Sequence, residues 1–384
     1  MESDGARLLG RHEAGGAFSD KPVLVFWEMT RACPLSCIHC RASAISDPLP
    51  GELTTDEGYQ LIDEVVRFGK PYPTVIFTGG DPLKRGDLFD ILRYASARGV
   101  GSAASPAVSD ALTTEALERL KASGTASISI SLDGAGALTH DTIRRKAGTF
   151  EKTLWSIQKA VEIGLHVQVN TVVMEKNVRE LPAIFHLIKG LGVKTWEVFF
   201  LVKVGRGSGV EDILPEEYED ACNFLYDASR YGITVRTVEA PFIRRIAAER
   251  ARGGASWRGE GYLQMASELV SFEGDPTTST SSIRPRGTLD GDGIIFVSYD
   301  GAIHPGGLLP TKLGDIRTDG LVSVYREHGL LKRIRDRDFR GSCGACGYRS
   351  ICGGSRARAN AYSGDPLETD PACLLAARLM KPVI

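Results

Sequence analysis

The sequence predicts an α/β chain built on a parallel sheet and followed by a small cysteine-rich C-terminal segment, and three observations carry this. Short β-branched or aromatic runs alternate with amphipathic helical stretches from Val23 to about Ala240. Glycines fall just past the helical stretches, where a left-handed cap is wanted. Of the eight cysteines, three lie within Cys33–Cys40 and four within Cys343–Cys373. Repeated strand–helix units require crossover connections and hence parallel neighbours. Six units suit a partial (β/α)6 barrel; a doubly wound open sheet has the same local pattern. Both architectures put functional loops at the C-terminal ends of the strands.

Taken in order, residues 1–21 are polar, glycine-rich and without an apolar core, which predicts a flexible tail rather than a signal peptide or anchor. Strand candidates follow at Val23–Glu28, Thr74–Thr78, Val100–Ala104, Ala126–Leu132, His166–Val173 and Trp196–Val202, with Ile233–Val238 a weaker-patterned seventh. Helices are expected at Thr55–Phe68, Leu88–Arg98, Thr114–Ser123, Thr149–Ile163, Val178–Leu191 and Pro215–Tyr231. Residues 22–240 thus form the strand–helix domain. Residues 241–293, shifting to Gly, Ser, Thr and Pro, are expected to be a linker or lid. Residues 294–384 form the last unit. There Ile294–Ser298 and Ala302–His304 flank an Asp300–Gly301 turn as a hairpin, and a helix is expected near Leu321–Arg335. The remaining Gly- and Cys-rich stretch is too irregular for a core of its own and is expected to fold around metal.

A formal net charge of −2 gives no basis for nucleic-acid binding, which needs a concentrated basic surface. The basic stretches Arg244–Arg252 and Arg333–Arg340 are expected to be solvated helix faces. No run approaches the roughly 18 apolar residues of a membrane span. A cytoplasmic location follows, and in a reducing compartment clustered thiols point to metal rather than to disulfides. Cys222, alone in a predicted helix, is expected to be a small buried hydrophobe. Gly205–Gly209 lacks the Lys-Ser/Thr ending of a phosphate loop and is expected to be a flexible loop.

Cys33, Cys37 and Cys40 form C-x3-C-x2-C directly after the first strand. Three thiolates on a short loop can hold three irons of a [4Fe–4S] cubane and leave the fourth open. The alternative is a zinc site with a distant fourth ligand. The spacing resembles the radical S-adenosylmethionine (SAM) superfamily, whose signature is C-x3-C-x-Φ-C, with His39 at the Φ position beside the adenine. The resemblance implies a partial TIM-like barrel and further SAM contacts. Thr78-Gly79-Gly80-Asp81-Pro82 after the second strand matches the element that meets the methionine end, with Asp81 in place of Glu. Ser131, in the segment Ser129–Gly134 that closes the fourth strand, matches the serine that faces the ribose or carboxylate, and Arg144 matches the carboxylate-pairing arginine. Asn170 matches a ribose-contacting position, although a strand-end amide also has a structural reading. Ser105-Pro106-Ala107 stands where many relatives carry Thr-Asn-Gly.

Cys343, Cys346, Cys352 and Cys373 read C-x2-C-x5-C-x20-C. Four thiolates close a cubane completely, or equally a zinc ribbon. The spacing resembles the SPASM/Twitch extension of radical SAM enzymes, which implies an auxiliary [4Fe–4S] cluster. Gly306 and Arg356 stand where the two-cluster pattern carries cysteines, so the resemblance implies one auxiliary cluster. Cys352-Gly-Gly-Ser-Arg-Ala-Arg-Ala359, with His304–Pro310, resembles the branch of haem and d1-haem biosynthesis. It implies a SAM-derived radical that oxidatively modifies a tetrapyrrole or other small molecule, by decarboxylation or dehydrogenation, with electrons from a low-potential donor such as flavodoxin or ferredoxin. A ribosomal-peptide maturase is the alternative enzyme, and a non-catalytic Fe–S or zinc protein the alternative outside catalysis.

Overall fold

The computed structural model describes residues 18–253, 258–278, 280–283 and 287–380. Seven strands run in parallel and in sequence order: β1 (Leu24–Glu28), β2 (Thr74–Thr78), β3 (Ser102–Ala104), β4 (Thr125–Ser131), β5 (His166–Val173), β6 (Thr195–Phe200) and β7 (Thr234–Val238). The helices between them are α1 (Thr55–Arg67), α2 (Leu88–Ala97), α3 (Thr114–Ala122), α4 (Ala137–Arg144), α5 (Thr149–Glu162), α6 (Leu181–Gly190) and α7 (Pro215–Ala228). The sheet stays open beyond β7, so the result is a partial barrel.

Each strand divides its side chains by parity. Val25 and Trp27 on β1, Val75 and Phe77 on β2, Ile128 and Ile130 on β4, and Val169 and Val198 on β5 and β6 are fully buried in the main core. The intervening residues face the barrel interior. Capping sets the helix starts: Thr54 and Glu57 exchange a capping box at α1, and Thr113 accepts from the Ala116 N–H at α3.

Several expectations change. Residues 241–293 are not a bare connection: α8 (Ile243–Ala251) and α9 (Glu260–Glu273) lie within them, and α9 packs on α6 and α7. Tyr262, Met265 and Leu269 give α9 a buried stripe that the surrounding Gly, Ser and Thr content conceals. Residues 254–257, 279 and 284–286 of that stretch lie outside the described residues. Arg244 and Arg245 are buried rather than solvated: Arg244 donates to the carbonyls of Thr288 and Ile351, and Arg245 pairs with Glu219. Arg335 is buried likewise and donates to the Gly291 and Tyr325 carbonyls. Of the expected tail, residues 1–17 lie outside the described residues. Phe18–Lys21 are tied down, with Tyr325 Oη donating to the Phe18 carbonyl at 2.7 Å and Arg335 to that of Ser19.

After α9 come β8 (Leu289–Asp290), β9 (Gly293–Val297), β10 (Ala302–His304) and β11 (Gly314–Asp315). The β9–β10 hairpin forms as expected, and β9 also pairs in parallel with β1, so it extends the barrel sheet past its first strand. The expected helix at 321–335 is two, α10 (Leu321–Glu327) and α11 (Gly329–Arg335), broken where His328 turns extended and caps the second. The chain ends in α12 (Gly341–Ala345), α13 (Arg356–Ser363) and α14 (Leu374–Met380).

Candidate active site

The loop after β1 carries Cys33, Cys37 and Cys40, whose side chains line one cavity of about 480 Å³ inside the barrel. His39, Thr78, Gly79, Gly80, Ser131, Arg144 and Asn170 line the same cavity. Parallel register sets Ser131, Asn170, Glu197 and Arg236 in one row across β4 to β7. Gln168 bridges this interior by donating to Asn170 and Glu197, both at 2.9 Å. Burial pushes the Glu197 carboxyl up.

Asp81 departs from the expected contact. Its carboxylate is fully buried beneath the turn and accepts from Ser109 Oγ at 2.7 Å and the Leu83 amide at 3.1 Å. It therefore holds the turn, while Gly79 and Gly80 present the surface. Those glycines are needed because the turn lies on the cysteine loop: the Gly80 amide donates to the Thr30 carbonyl at 2.7 Å, and a Cβ on Gly79 would stand 2.4 Å from that oxygen.

Beside the thiols, Arg144 at the end of α4 donates to Cys37 Sγ at 3.7 Å and ion-pairs with fully buried Asp133. Burial alone would raise the Asp133 carboxyl, but Arg144, with His39 and His140, holds it below its ordinary range. His39 Nε2 lies 3.8 Å from Asp133, and burial lowers its pKa to about 4, so the ring facing the cavity is neutral near pH 7. His140, fully buried, accepts the Asp133 amide at Nδ1 (3.1 Å) and meets Thr153 Oγ1 at Nε2 (3.3 Å), which fixes a neutral ring. Burial, then the charge of Arg144, lowers its pKa to about 4. The unfolded state therefore binds the extra proton first. Stability should be complete above pH ~6.5 and fall as pH drops toward 4, by on the order of 3 kcal/mol from this ring. Denaturant titrations at several pH values should show that slope flattened in His140→Gln; an unchanged slope would contradict it.

Sequence reasoning missed Arg206. In the expected flexible loop after β6, its guanidinium donates to the carbonyls of Cys37 (2.9 Å) and Ala44 (2.8 Å), and its amide to that of Cys40. The loop can approach so closely because Gly205 has φ +55 and no Cβ; one would stand 2.2 Å from the Arg41 carbonyl. No local pattern announces this contact. Gln168, Glu197 and Arg236 were also missed, although the alternation Ser127-x-Ser129-x-Ser131 and Gln168-x-Asn170 marks a polar inward face.

At the other end of the chain, Cys343 and Cys373 are near enough to Cys352 to influence its ionisation, and Cys346 caps the short helix that carries Cys343. Each of the seven grouped thiols is approached by an N–H donor. Cys33 accepts from Leu35, Cys346 from Tyr348, Cys352 from Gly354 and Cys343 from Asp370, all at 3.4 Å, and Cys40 from Ala44 at 3.5 Å. Arg144 serves Cys37, and the amides of Leu375 and Ala376 serve Cys373. Burial pushes Cys33 and Cys352 up to about 12 and Cys373 to about 11, so these sulfurs need a bound cation to ionise. Among the described residues no three His, Cys, Asp or Glu side chains converge to hold a single metal ion. Groups of three and four thiols, each met by an N–H donor, are a donor set that fits iron–sulfur ligation.

A second cavity of about 750 Å³ adjoins the first, sharing Glu197, Arg236, Glu239 and Asp290, and reaches Ser355 and Arg356 beside the C-terminal thiols. Burial raises both Glu239 and Asp290, and the neighbouring Glu239 carboxyl raises Asp290 further. Ser355 Oγ hydrogen-bonds Glu239, which joins the cavity wall to the Cys352 loop.

A partial parallel barrel with a three-thiol loop at the mouth of its first strand, above a polar interior, is the architecture of a radical SAM enzyme. The pattern of the Radical SAM superfamily matches residues 27–188. The chain is 36% identical to an AdoMet-dependent heme synthase of Methanosarcina barkeri, over 93% of this chain and 98% of the relative. It is also 36% identical to one of Nitratidesulfovibrio vulgaris, over 94% of each. In fold it resembles Streptococcus suis SuiB bound to S-adenosylmethionine, with TM-score 0.67 and 14% identity, covering 92% of this chain and 78% of SuiB. The chain belongs to the radical SAM superfamily, in its haem-biosynthesis-like branch. The family implies a [4Fe–4S] cluster and SAM. No helix among the described residues is long and apolar enough to cross a membrane.

Proposed function

We propose that this enzyme oxidatively decarboxylates carboxylate side chains of a tetrapyrrole, as a haem synthase. The observation that carries this reading is the pair of adjoining cavities between the two thiol groups. One end meets the Cys33–Cys40 loop, the other meets Ser355 and Arg356, and Arg41, Arg206 and Arg236 stand along its walls. Two adjoining cavities of these volumes suit SAM and a second, larger molecule. The similarity to heme synthases along nearly the whole chain supports the same reading.

In it, Cys33, Cys37 and Cys40 hold one [4Fe–4S] cluster, and Cys343, Cys346, Cys352 and Cys373 hold a second. When bound, the first cluster and SAM supply a 5′-deoxyadenosyl radical; the second supplies a one-electron acceptor. Arg144 and Arg206 fix the cysteine loop, the first at the Cys37 sulfur and the second at the Cys37 and Ala44 carbonyls. Ser131 and Asn170 offer hydrogen bonds to the SAM ribose and carboxylate, and neutral His39 offers a flat face to the adenine. Arg41, seated over the Phe296 ring at 4.5 Å, and Arg236, exposed at the mouth, offer planar forks to substrate carboxylates. The barrel wall keeps water from the radical. Hydrogen removed from the side-chain carbon next to the ring leaves a substrate radical. Loss of one electron and of CO2 from that radical leaves a carbon–carbon double bond, and the charges balance. A low-potential donor such as flavodoxin or ferredoxin supplies the electron that cleaves SAM.

The test is anaerobic turnover of reconstituted protein with SAM, a low-potential reductant and an iron tetrapyrrole bearing propionate side chains. Mass spectrometry should find the tetrapyrrole lighter by one CO2 and two hydrogens for each side chain converted, with one 5′-deoxyadenosine formed for each. SAM cleavage with the tetrapyrrole unchanged would overturn the substrate assignment.

A further inference from the structure

Arg356 opens α13 and is 1% exposed. Its guanidinium donates through Nη2 to Cys343 Sγ at 3.5 Å. Nε and Nη1 donate to the carbonyls of Gly354 (3.2 Å), Pro366 (3.0 Å) and Glu368 (2.7 Å), and the group lies 4.4 Å over the Phe339 ring. Among the described residues it forms no ion pair, and the two carboxylates close to it, Glu239 and Asp370, are engaged by Ser355 and Arg358. A cation whose hydrogen-bonding shell is neutral carbonyls is costly to bury unless a group in that shell becomes anionic. The sulfur of Cys343 is the group in its shell able to become anionic. The same side chain also lines the second cavity, where the proposed substrate would lie.

We propose that Arg356 raises the reduction potential of the cluster at the C-terminal thiols, by donating an N–H to the Cys343 sulfur and by setting a buried positive charge beside it. Reduction adds one electron, and so one negative charge, to the cluster and its thiolates. A hydrogen bond to sulfur and a nearby cation both favour the more negative form, and low dielectric magnifies both. Arg356 is thus a tuning residue: it makes this cluster a better acceptor of an electron from the cavity. Another buried arginine nearby, Arg244, spends its donors on the Thr288 and Ile351 carbonyls instead of on sulfur. The inference rests on the reading that the four C-terminal thiols hold an iron–sulfur cluster.

The experiment is an EPR-monitored redox titration of full-length reconstituted protein, wild type beside Arg356→Met and Arg356→Lys, with metal counted in each. Arg356→Met should keep both clusters' iron. At fixed applied potential the ratio of reduced to oxidised C-terminal cluster should fall about tenfold, ~59 mV for one electron. Arg356→Lys, which keeps the charge, should fall between the two, and the cluster at Cys33–Cys40 should keep its potential in all three proteins. An unmoved C-terminal potential in iron-replete Arg356→Met overturns the inference. Loss of C-terminal iron from both variants overturns it too, by making Arg356 a clamp for the Gly354 and Pro366–Glu368 backbone. Zinc at the C-terminal thiols of the wild type would instead sink the cluster reading and take the inference with it; the metal count tells these failures apart.

Discussion

Replacing Cys33, Cys37 and Cys40 together with alanine is expected to drop 5′-deoxyadenosine production to background. The three thiols share one loop and one cavity, and a cubane with an open iron needs all three. The fold should survive, because the loop is held by backbone contacts the variant keeps: Gly80 to Thr30, Asp81 to Ala32, and Arg206 to Cys37 and Ala44. The variant should retain the iron of the C-terminal thiols, so iron per chain should halve rather than vanish. Circular dichroism would report the fold, and chromatography of an anaerobic reaction the nucleoside. Continued SAM cleavage in the triple variant would refute the assignment of this loop.

Replacing Cys346 and Cys373 with alanine should separate the two halves of the reaction. These two are half-buried, whereas Cys343 and Cys352 are buried, so their removal disturbs the core least. The expected result is SAM cleavage near the normal rate with loss of decarboxylated product, because the substrate radical then has no acceptor for its electron. Product at the normal rate without the second cluster would confine Cys343, Cys346, Cys352 and Cys373 to a structural role.

What could be read from the sequence was whatever is encoded over short spans. The strand–helix alternation, the three-thiol loop and the Thr78–Pro82 turn all depend on neighbours within a few residues, and each appears where it was expected. The seventh strand forms too, paired along its length with β6. Features that depend on distant packing were not legible. Arg206 looked like part of a free glycine loop because its partners, Cys37 and Ala44, lie far back in the chain. Arg244, Arg245 and Arg335 looked solvated because charge pattern cannot reveal that buried carbonyls and Glu219 await them. Asp81 looked like a cofactor contact because the turn motif fixes the backbone, while Ser109, from the next loop, decides where the carboxylate points. The parallel union of β9 with β1 likewise joins segments that only the folded chain brings together.

The most direct test of the central claim uses a tetrapyrrole with deuterium on the propionate carbon next to the ring, turned over anaerobically with SAM and reductant. The account predicts 5′-deoxyadenosine carrying one deuterium, released in step with CO2 and a side-chain double bond. Deuterium kept in the tetrapyrrole, while unlabelled 5′-deoxyadenosine accumulates, would contradict it.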